Sequence, residues 1–223
     1  MLNEIINDNC LNMFTRMEDD SVDYVFTSPP YNRRRNDKYD FYNDDDVVDY
    51  YEFMSEVIEQ SMRVSKEHVF FNIQKNYYNK QDVFKLIGKY ADKLVDIIVW
   101  NKTNPMPASG TNITNAYEFV LALHKNALPL KANSTYTKNV ITTSVYSSNP
   151  YKKHHRAVMS PEFAKQFFES FIRADDDDVV VFDPFMGVGT TAVVAKEYGV
   201  NYLGAELSKE YVEIAKDRLC RLL

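Results

Sequence analysis

Val179-Val-Val-Phe-Asp-Pro-Phe-Met-Gly-Val-Gly-Thr-Thr-Ala-Val-Val-Ala195 runs from an apolar strand, through an acid and a Gly-x-Gly turn, into a helix. Gly187 and Gly189 permit backbone conformations and close approaches that a Cβ would forbid, and Thr190 opens the helix that follows. Glu206 stands seventeen residues past Gly189, at the end of the next apolar run, placed to accept hydrogen bonds from ribose hydroxyls. This is the pattern of a nucleotide-cofactor turn, with Asp183, Pro184, Phe185, Gly187, Gly189, Thr190, Thr191 and Glu206 as its candidate contacts. Gly187-x-Gly189-x-x-Ala192 also fits a dinucleotide fingerprint, so a nicotinamide or flavin enzyme and a purely structural glycine turn remain open at this point.

The same alternation extends outward along the chain. Apolar runs at 22–26, 69–73, 94–100, 119–123, 179–182 and 202–205 read as buried strands. Stretches with helical spacing lie at about 47–64, 81–90, 160–172, 190–198 and 208–222. Ser160-Pro161-Glu162 and Ser208-Lys209-Glu210 set N-caps for two of the helices. Strands alternating with helices mean an α/β fold with a mostly parallel sheet. The segment at about 125–155 breaks the pattern, being rich in Asn, Ser, Thr, Tyr and Lys, and is expected to be an insertion of loops and short strands.

A second motif, Asp23-Tyr-Val-Phe-Thr-Ser-Pro-Pro-Tyr-Asn32, again follows a buried strand. A Pro-Pro pair there can simply end the strand. Each residue also has a use in methylating an exocyclic amino group, whose lone pair is delocalised into the base ring and must be hydrogen-bonded to become nucleophilic. The Ser28 hydroxyl and the Pro29 carbonyl supply two acceptors, Pro30 fixes their angle, and Tyr31 offers a face on which an extruded base can stack. Catalysis is then mostly positioning for in-line attack on a sulfonium methyl. Ser28 is a poor general base, so its role is orientation.

Composition narrows the classes. With 223 residues, 45% hydrophobic and 26% charged, the chain fits one ordinary domain and excludes disordered or collagen-like sequences. Cys10 and Cys220 lie at opposite ends and match no metal or disulfide framework, which favours a reducing cytosol. No apolar run is long enough to span a bilayer and the first residues lack a signal-peptide pattern, so a cytoplasmic protein without a membrane partner is expected. The net charge of −6 argues against a nucleic-acid partner, yet its distribution argues for one. Between Glu118 and Glu162 there is no acid, while Lys125, Lys131, Lys138, Lys152, Lys153 and Arg156 all fall there. Arg33, Arg34 and Arg35 form a second basic knot directly after Tyr31. His154 and His155 alone do not make a metal site, and no metal is expected.

Together these residues resemble the S-adenosylmethionine-dependent amino-methyltransferases of DNA. Their catalytic signature is (Asp/Asn/Ser)-Pro-Pro-(Tyr/Phe/Trp), matched by Ser28 to Tyr31, and their cofactor motif ends in Phe-x-Gly-x-Gly, matched by Phe185 to Gly189. Ser28 precedes Asp183 by 155 positions, which resembles the permuted beta group, with a target-recognition region between the motifs. The resemblance implies one Rossmann-like methyltransferase domain over 1–223. Its mostly parallel mixed sheet would carry helices on both faces and the motifs in permuted order, with recognition at about 125–155. Asn9 takes the place of the family's Asp near the cofactor adenine, and His155 lies in the segment resembling the methionine-end contact. Lys102 and Asn104 sit in a segment resembling the target-base side of the pocket, as does the 114–118 segment ending in Glu118. Arg33, Arg34, Arg35, Lys102, Asn104, Lys138, Lys152 and Lys153 are the expected contacts to double-stranded DNA.

A homodimer and an accompanying restriction enzyme are further partners the resemblance suggests. In the family this chain resembles, Ser at the place of Ser28 is commoner among cytosine-N4 enzymes and Asp among adenine-N6 enzymes, so the resemblance implies cytosine N4 as the favoured target and adenine N6 as the alternative. RNA methylation, a small-molecule or protein-glutamine methyltransferase, and an inactive DNA-binding module are the competing readings.

Overall fold

Eight strands and six helices are found among the residues that the computed structural model describes, which are 2–32, 49–105, 107, 113–146, 150–151, 158–174 and 178–222. In chain order they are β1 (Glu4–Asn7), α1 (Cys10–Thr15), β2 (Tyr24–Thr27), α2 (Tyr50–Val64), β3 (Val69–Ile73), α3 (Lys80–Lys89), β4 (Leu94–Lys102), β5 (Tyr117–Leu123), β6 (Val140–Thr143), α4 (Pro161–Phe171), β7 (Val180–Asp183), α5 (Thr190–Tyr198), β8 (Asn201–Glu206) and α6 (Lys209–Cys220). The strands form one sheet in the order β1-β8-β7-β2-β3-β5-β4-β6. Only β5 runs against its two neighbours; every other pairing is parallel. The expected mixed, mostly parallel sheet is therefore present.

Central strands such as β2, β3 and β7 are buried along their whole length, which is why they read as continuous apolar runs. Alternate side chains leave on opposite faces, and each face carries its own core. One holds Phe71 and Phe182 with residues of α1, α2 and α3; the other holds Phe26 and Phe70 with residues of α4, α5 and α6. In the second, the Phe167 ring lies 4.8 Å from that of Phe26 and 4.9 Å from that of Phe70. Burying a phenylalanine contributes about 1.5–3 kcal/mol, so this aromatic group alone outweighs any surface ion pair.

Helix ends follow the sequence signals. Ser160 and Ser208 accept from the Phe163 and Tyr211 amides, and Pro161 takes the first helical position. Helix α2 is capped by Asp49, whose side chain accepts from the Glu52 amide. Two elements, β1 and α1, have no counterpart among the expected ones, while β6 falls in the 125–155 segment where short strands were expected. Strands β1 and β6 have four residues each, sit at the two edges of the sheet, and lack an apolar run; α1 has six residues, too few for a periodic pattern.

The expected 125–155 insertion is described only in part. It contains β6, and Asn133 donates to the Glu169 and Ile172 carbonyls (3.0 and 2.7 Å), closing the end of α4.

What this order does for function is set at its centre. From β7 the chain passes through α5 to β8 on one side; from β2 it passes through α2, on the other face, to β3 on the other side. Adjacent strands whose connections diverge in this way leave a crevice at their carboxyl ends. The Ser28 and Gly187 turns both open into that crevice, one directly after β2 and the other after β7.

Candidate active site

The two turns are fastened to each other by one carboxylate. Asp183 accepts from the Thr27 hydroxyl (2.6 Å), the Thr191 hydroxyl (2.6 Å) and the Phe185 amide (3.0 Å). It is 2% exposed, and Thr191 is buried beside it. Asp183 and Thr191 are therefore not open cofactor contacts, as the motif suggested, but the tie between β2, β7 and α5. Burial pushes the Asp183 carboxyl up to about 6, against the three donors that pull it down.

An acid whose folded value lies above its ordinary one holds more protons folded than unfolded. Its contribution to stability is therefore full below about pH 4 and is lost as the pH rises to about 6. In thermal melts from pH 4 to 7, the advantage of the wild type over Asp183→Asn should shrink across that window and then level off. An advantage that grows with pH would contradict the assignment.

The Gly-x-Gly turn is shaped as its composition requires. Gly187 has φ +54° and Gly189 φ +83°, both left-handed, and a Cβ on Gly189 would lie 2.7 Å from the Ala215 Cβ. Glu206 accepts from the Gly187 amide (2.8 Å) through one oxygen and from the Ser208 amide (2.7 Å) through the other. Burial raises its carboxyl above the ordinary range, while those two amides pull it back. Below the turn, buried Arg218 donates to the Val188 carbonyl (2.6 Å) and the Thr190 hydroxyl (3.3 Å). Pro184 is buried, and Phe185 packs edge-on against Phe53. Asn9 accepts from the Leu11 amide (2.8 Å) as the N-cap of α1, so its side-chain oxygen already has a structural duty.

The Ser28 turn is held from three sides. Tyr50 donates to the Pro30 carbonyl (2.8 Å), and Asn76 and Asn79 donate to the Tyr31 carbonyl (2.6 and 2.9 Å). Asn32 completes the bend with φ +47°. The Ser28 and Tyr31 hydroxyls lie 2.7 Å apart, and Tyr31 donates to Glu118 (2.8 Å). The amide nitrogen of buried Asn72 lies 3.3 Å from the Ser28 hydroxyl, 3.0 Å from that of Tyr31 and 2.7 Å from Glu118. Two neighbouring constellations thus meet in the crevice: a rigid glycine turn beside a carboxylate, and a proline-fixed hydroxyl and ring.

A family profile described as DNA methylase, of the N6 and N4 class, matches residues 22–217. The chain belongs to this family. It is thereby a DNA amino-methyltransferase. Among curated proteins it is similar to the type II methyltransferase M.HinfI of Haemophilus influenzae, 25% identical, with 98% of this chain and 68% of the relative covered. It is also similar to M.BglII of Bacillus subtilis (28%, covering 96% and 68%) and M2.DpnII of Streptococcus pneumoniae (25%, covering 96% and 88%). Among solved structures, the cytosine-N4-specific PvuII DNA methyltransferase matches with a TM-score of 0.76 at 18% identity, over 96% of this chain and 85% of that one. The M1.HpyAVI complex with SAM matches with a TM-score of 0.67 at 23% identity, over 97% and 98%. These likenesses show the methyltransferase fold.

The residues expected to meet DNA in this methylase fare unequally. Lys102 is not at the surface: its ammonium pairs with Glu118 at 2.5 Å, with only 8% and 7% of the two side chains exposed. It also lies 5.0 Å from the centre of the Trp100 ring. Asn104 is exposed, with its side-chain oxygen accepting from the Val145 amide (2.7 Å). Lys138 is exposed, whereas Lys125 in the acid-free stretch pairs with Asp20. Arg33, Arg34, Arg35, Lys152, Lys153 and His155 lie outside the described residues. Among the described residues no helix is long and apolar enough to cross a membrane.

Asn72, Asn76, Asn79 and Tyr50 were not singled out by sequence. Asn72 had a signal, being the one polar residue in the run Val69-Phe-Phe-Asn-Ile73.

Proposed function

We propose that this chain transfers a methyl group from S-adenosylmethionine to the exocyclic amino group of an extruded base in double-stranded DNA, with cytosine N4 favoured and adenine N6 as the alternative. The observation that carries the reading is the adjacency of the two turns, joined through Asp183 to Thr27 and Thr191. Such a tie sets a donor site and an acceptor site at a fixed separation, which is what in-line displacement requires.

The cradle fits the methyl donor: the left-handed Gly187 and Gly189 make a tight turn without side chains, and each Glu206 oxygen, holding one backbone amide, keeps a lone pair for a ribose hydroxyl. Bound S-adenosylmethionine supplies an electrophilic methyl on a sulfonium that leaves as a neutral thioether. Ser28 and the Pro29 carbonyl accept from the amino group, drawing its lone pair out of conjugation. Tyr31 supplies the stacking face, and its carbonyl is pinned by Asn76 and Asn79, so the turn does not yield when a base enters. As the nitrogen–methyl bond would form, the methyl–sulfur bond would break, and the amino nitrogen, left cationic, would release one proton to solvent. The exposed Lys138, with Lys152, Lys153 and Arg33 to Arg35, is suited to phosphate contacts, and the 125–155 segment to reading the target sequence. Buried Lys102 is not. The preference for cytosine rests on Ser28.

Incubation with labelled S-adenosylmethionine and mixed-sequence DNA, followed by digestion to nucleosides and mass identification, tests this. N4-methylcytosine is the expected product. N6-methyladenine would keep the mechanism and move the target to the alternative. No labelled nucleoside from the DNA despite cofactor binding would overturn the proposal and point to RNA or to an inactive binder.

A further inference from the structure

Lys102 and Glu118 bury two charges beside the Ser28 turn, where the chemistry just described requires neither. Their placement follows from register. Trp100 on β4 lies opposite Glu118 on β5, and Asn72 on β3 lies opposite Val120, so Trp100, Lys102, Glu118 and Asn72 project from one face at the carboxyl end of β3. A buried ion pair adds little net stability, because desolvation offsets the attraction. Stability alone is therefore a weak account of it.

The pair has a directional consequence. A carboxylate facing an ammonium only accepts hydrogen bonds. Tyr31, 2.8 Å away, must donate its one proton to Glu118, which leaves the Tyr31 oxygen as an acceptor. Ser28, 2.7 Å from Tyr31, must then turn its own proton inward to that oxygen. Asn72 enforces the same order. Its amide nitrogen faces all three oxygens, while its carbonyl oxygen, buried, has no hydrogen-bond partner among the described residues. The reversed amide would set that carbonyl against a carboxylate. With its proton committed, the Ser28 oxygen can only accept from a group entering the crevice. A freely rotating hydroxyl would also point its proton at the amino nitrogen, whose conjugated lone pair is a poor acceptor.

We propose that Glu118, paired with Lys102, is a positioning residue that acts through Tyr31 to fix the Ser28 hydroxyl as an acceptor for the amino group being methylated. The proposal rests on the methyltransferase reading of this site.

The test compares wild type, Tyr31→Phe, the charge-free pair Glu118→Gln with Lys102→Met, and all three changes combined. Methyl transfer is measured at saturating DNA and cofactor, alongside separate binding titrations of each. Tyr31→Phe keeps the ring and loses only the relay, and is expected to lower kcat by about 10–100-fold with both affinities within about twofold. The charge-free pair should lose a similar factor. Combined, the losses should not multiply, because both variants break one chain. Wild-type kcat in Tyr31→Phe overturns the proposal even if the charge-free pair does not fold, and so do fully multiplicative losses. A wild type that binds cofactor and DNA but transfers no methyl removes the underlying reading together with the proposal.

Discussion

Ser28→Ala combined with Tyr31→Ala is expected to abolish methyl transfer, lowering kcat by at least about a thousandfold, while cofactor affinity by calorimetry stays within about threefold. The separation of effects follows from where the bonds lie. Asp183 reaches Thr27, not Ser28, so truncating Ser28 leaves the tie to the glycine turn in place. The backbone of the Tyr31 turn is held through its carbonyl by Asn76 and Asn79, which side-chain truncation does not touch. The loss is therefore confined to the groups that would meet the base. Asn72 and Glu118 lose partners in the variant, at a cost of about 1–3 kcal/mol, so its melting temperature should fall measurably without loss of the fold. Retained turnover would refute the catalytic assignment of Ser28 and Tyr31.

Gly189→Ala is expected to have the second largest effect, this time on the fold and the cofactor together. An alanine there meets two obstacles. Its left-handed backbone, φ +83°, costs a residue with a Cβ about 1–2 kcal/mol. The new methyl lies 2.7 Å from the Ala215 Cβ and 3.1 Å from its Cα, within helix α6, where no flexible side chain can swing aside; such overpacking costs about 1–3 kcal/mol. Against a total stability of about 5–15 kcal/mol the sum is large. A fall of roughly 5–15 °C in melting temperature and at least a tenfold loss of cofactor affinity by calorimetry are expected. An unchanged melting temperature and affinity would mean that the turn relaxes without cost.

Much of this was legible in the sequence, for reasons that differ by element. Strands β3 and β7 are buried on both faces and so appear as largely apolar runs, each with a single polar residue, and α4 and α6 announce themselves through Ser160-Pro161 and Ser208. Strands β1 and β6 do not, because edge strands of four residues with partly exposed side chains carry no such run. At the site, Ser28, Tyr31, Gly187, Gly189 and Glu206 are visible because their surroundings are local: a strand end, two prolines, a turn. What escapes is whatever depends on register between distant segments. Lys102 reads as a surface cation because lysines are almost never buried unless paired, and its partner lies across a strand pairing. Asp183 reads as a ligand because its hydroxyl partner on β2 is 156 positions away. Asn72 meets Glu118 only once β3 and β5 have aligned.

The sheet order also bears on how the chain comes to be active. Strand β1 pairs with β8, and β2 with β7, so the first two strands find partners among the last two. Closing so long a loop costs conformational entropy that grows with its length, and non-local pairing of this kind slows folding. While the chain is being synthesised, the Ser28 segment therefore waits for the glycine turn and for the Asp183 carboxylate that leads into it, both made late in the chain. A nascent chain has one half of the crevice without the other. The sites for methyl donor and acceptor become competent in a single late event, so partly made protein gains neither function ahead of the other.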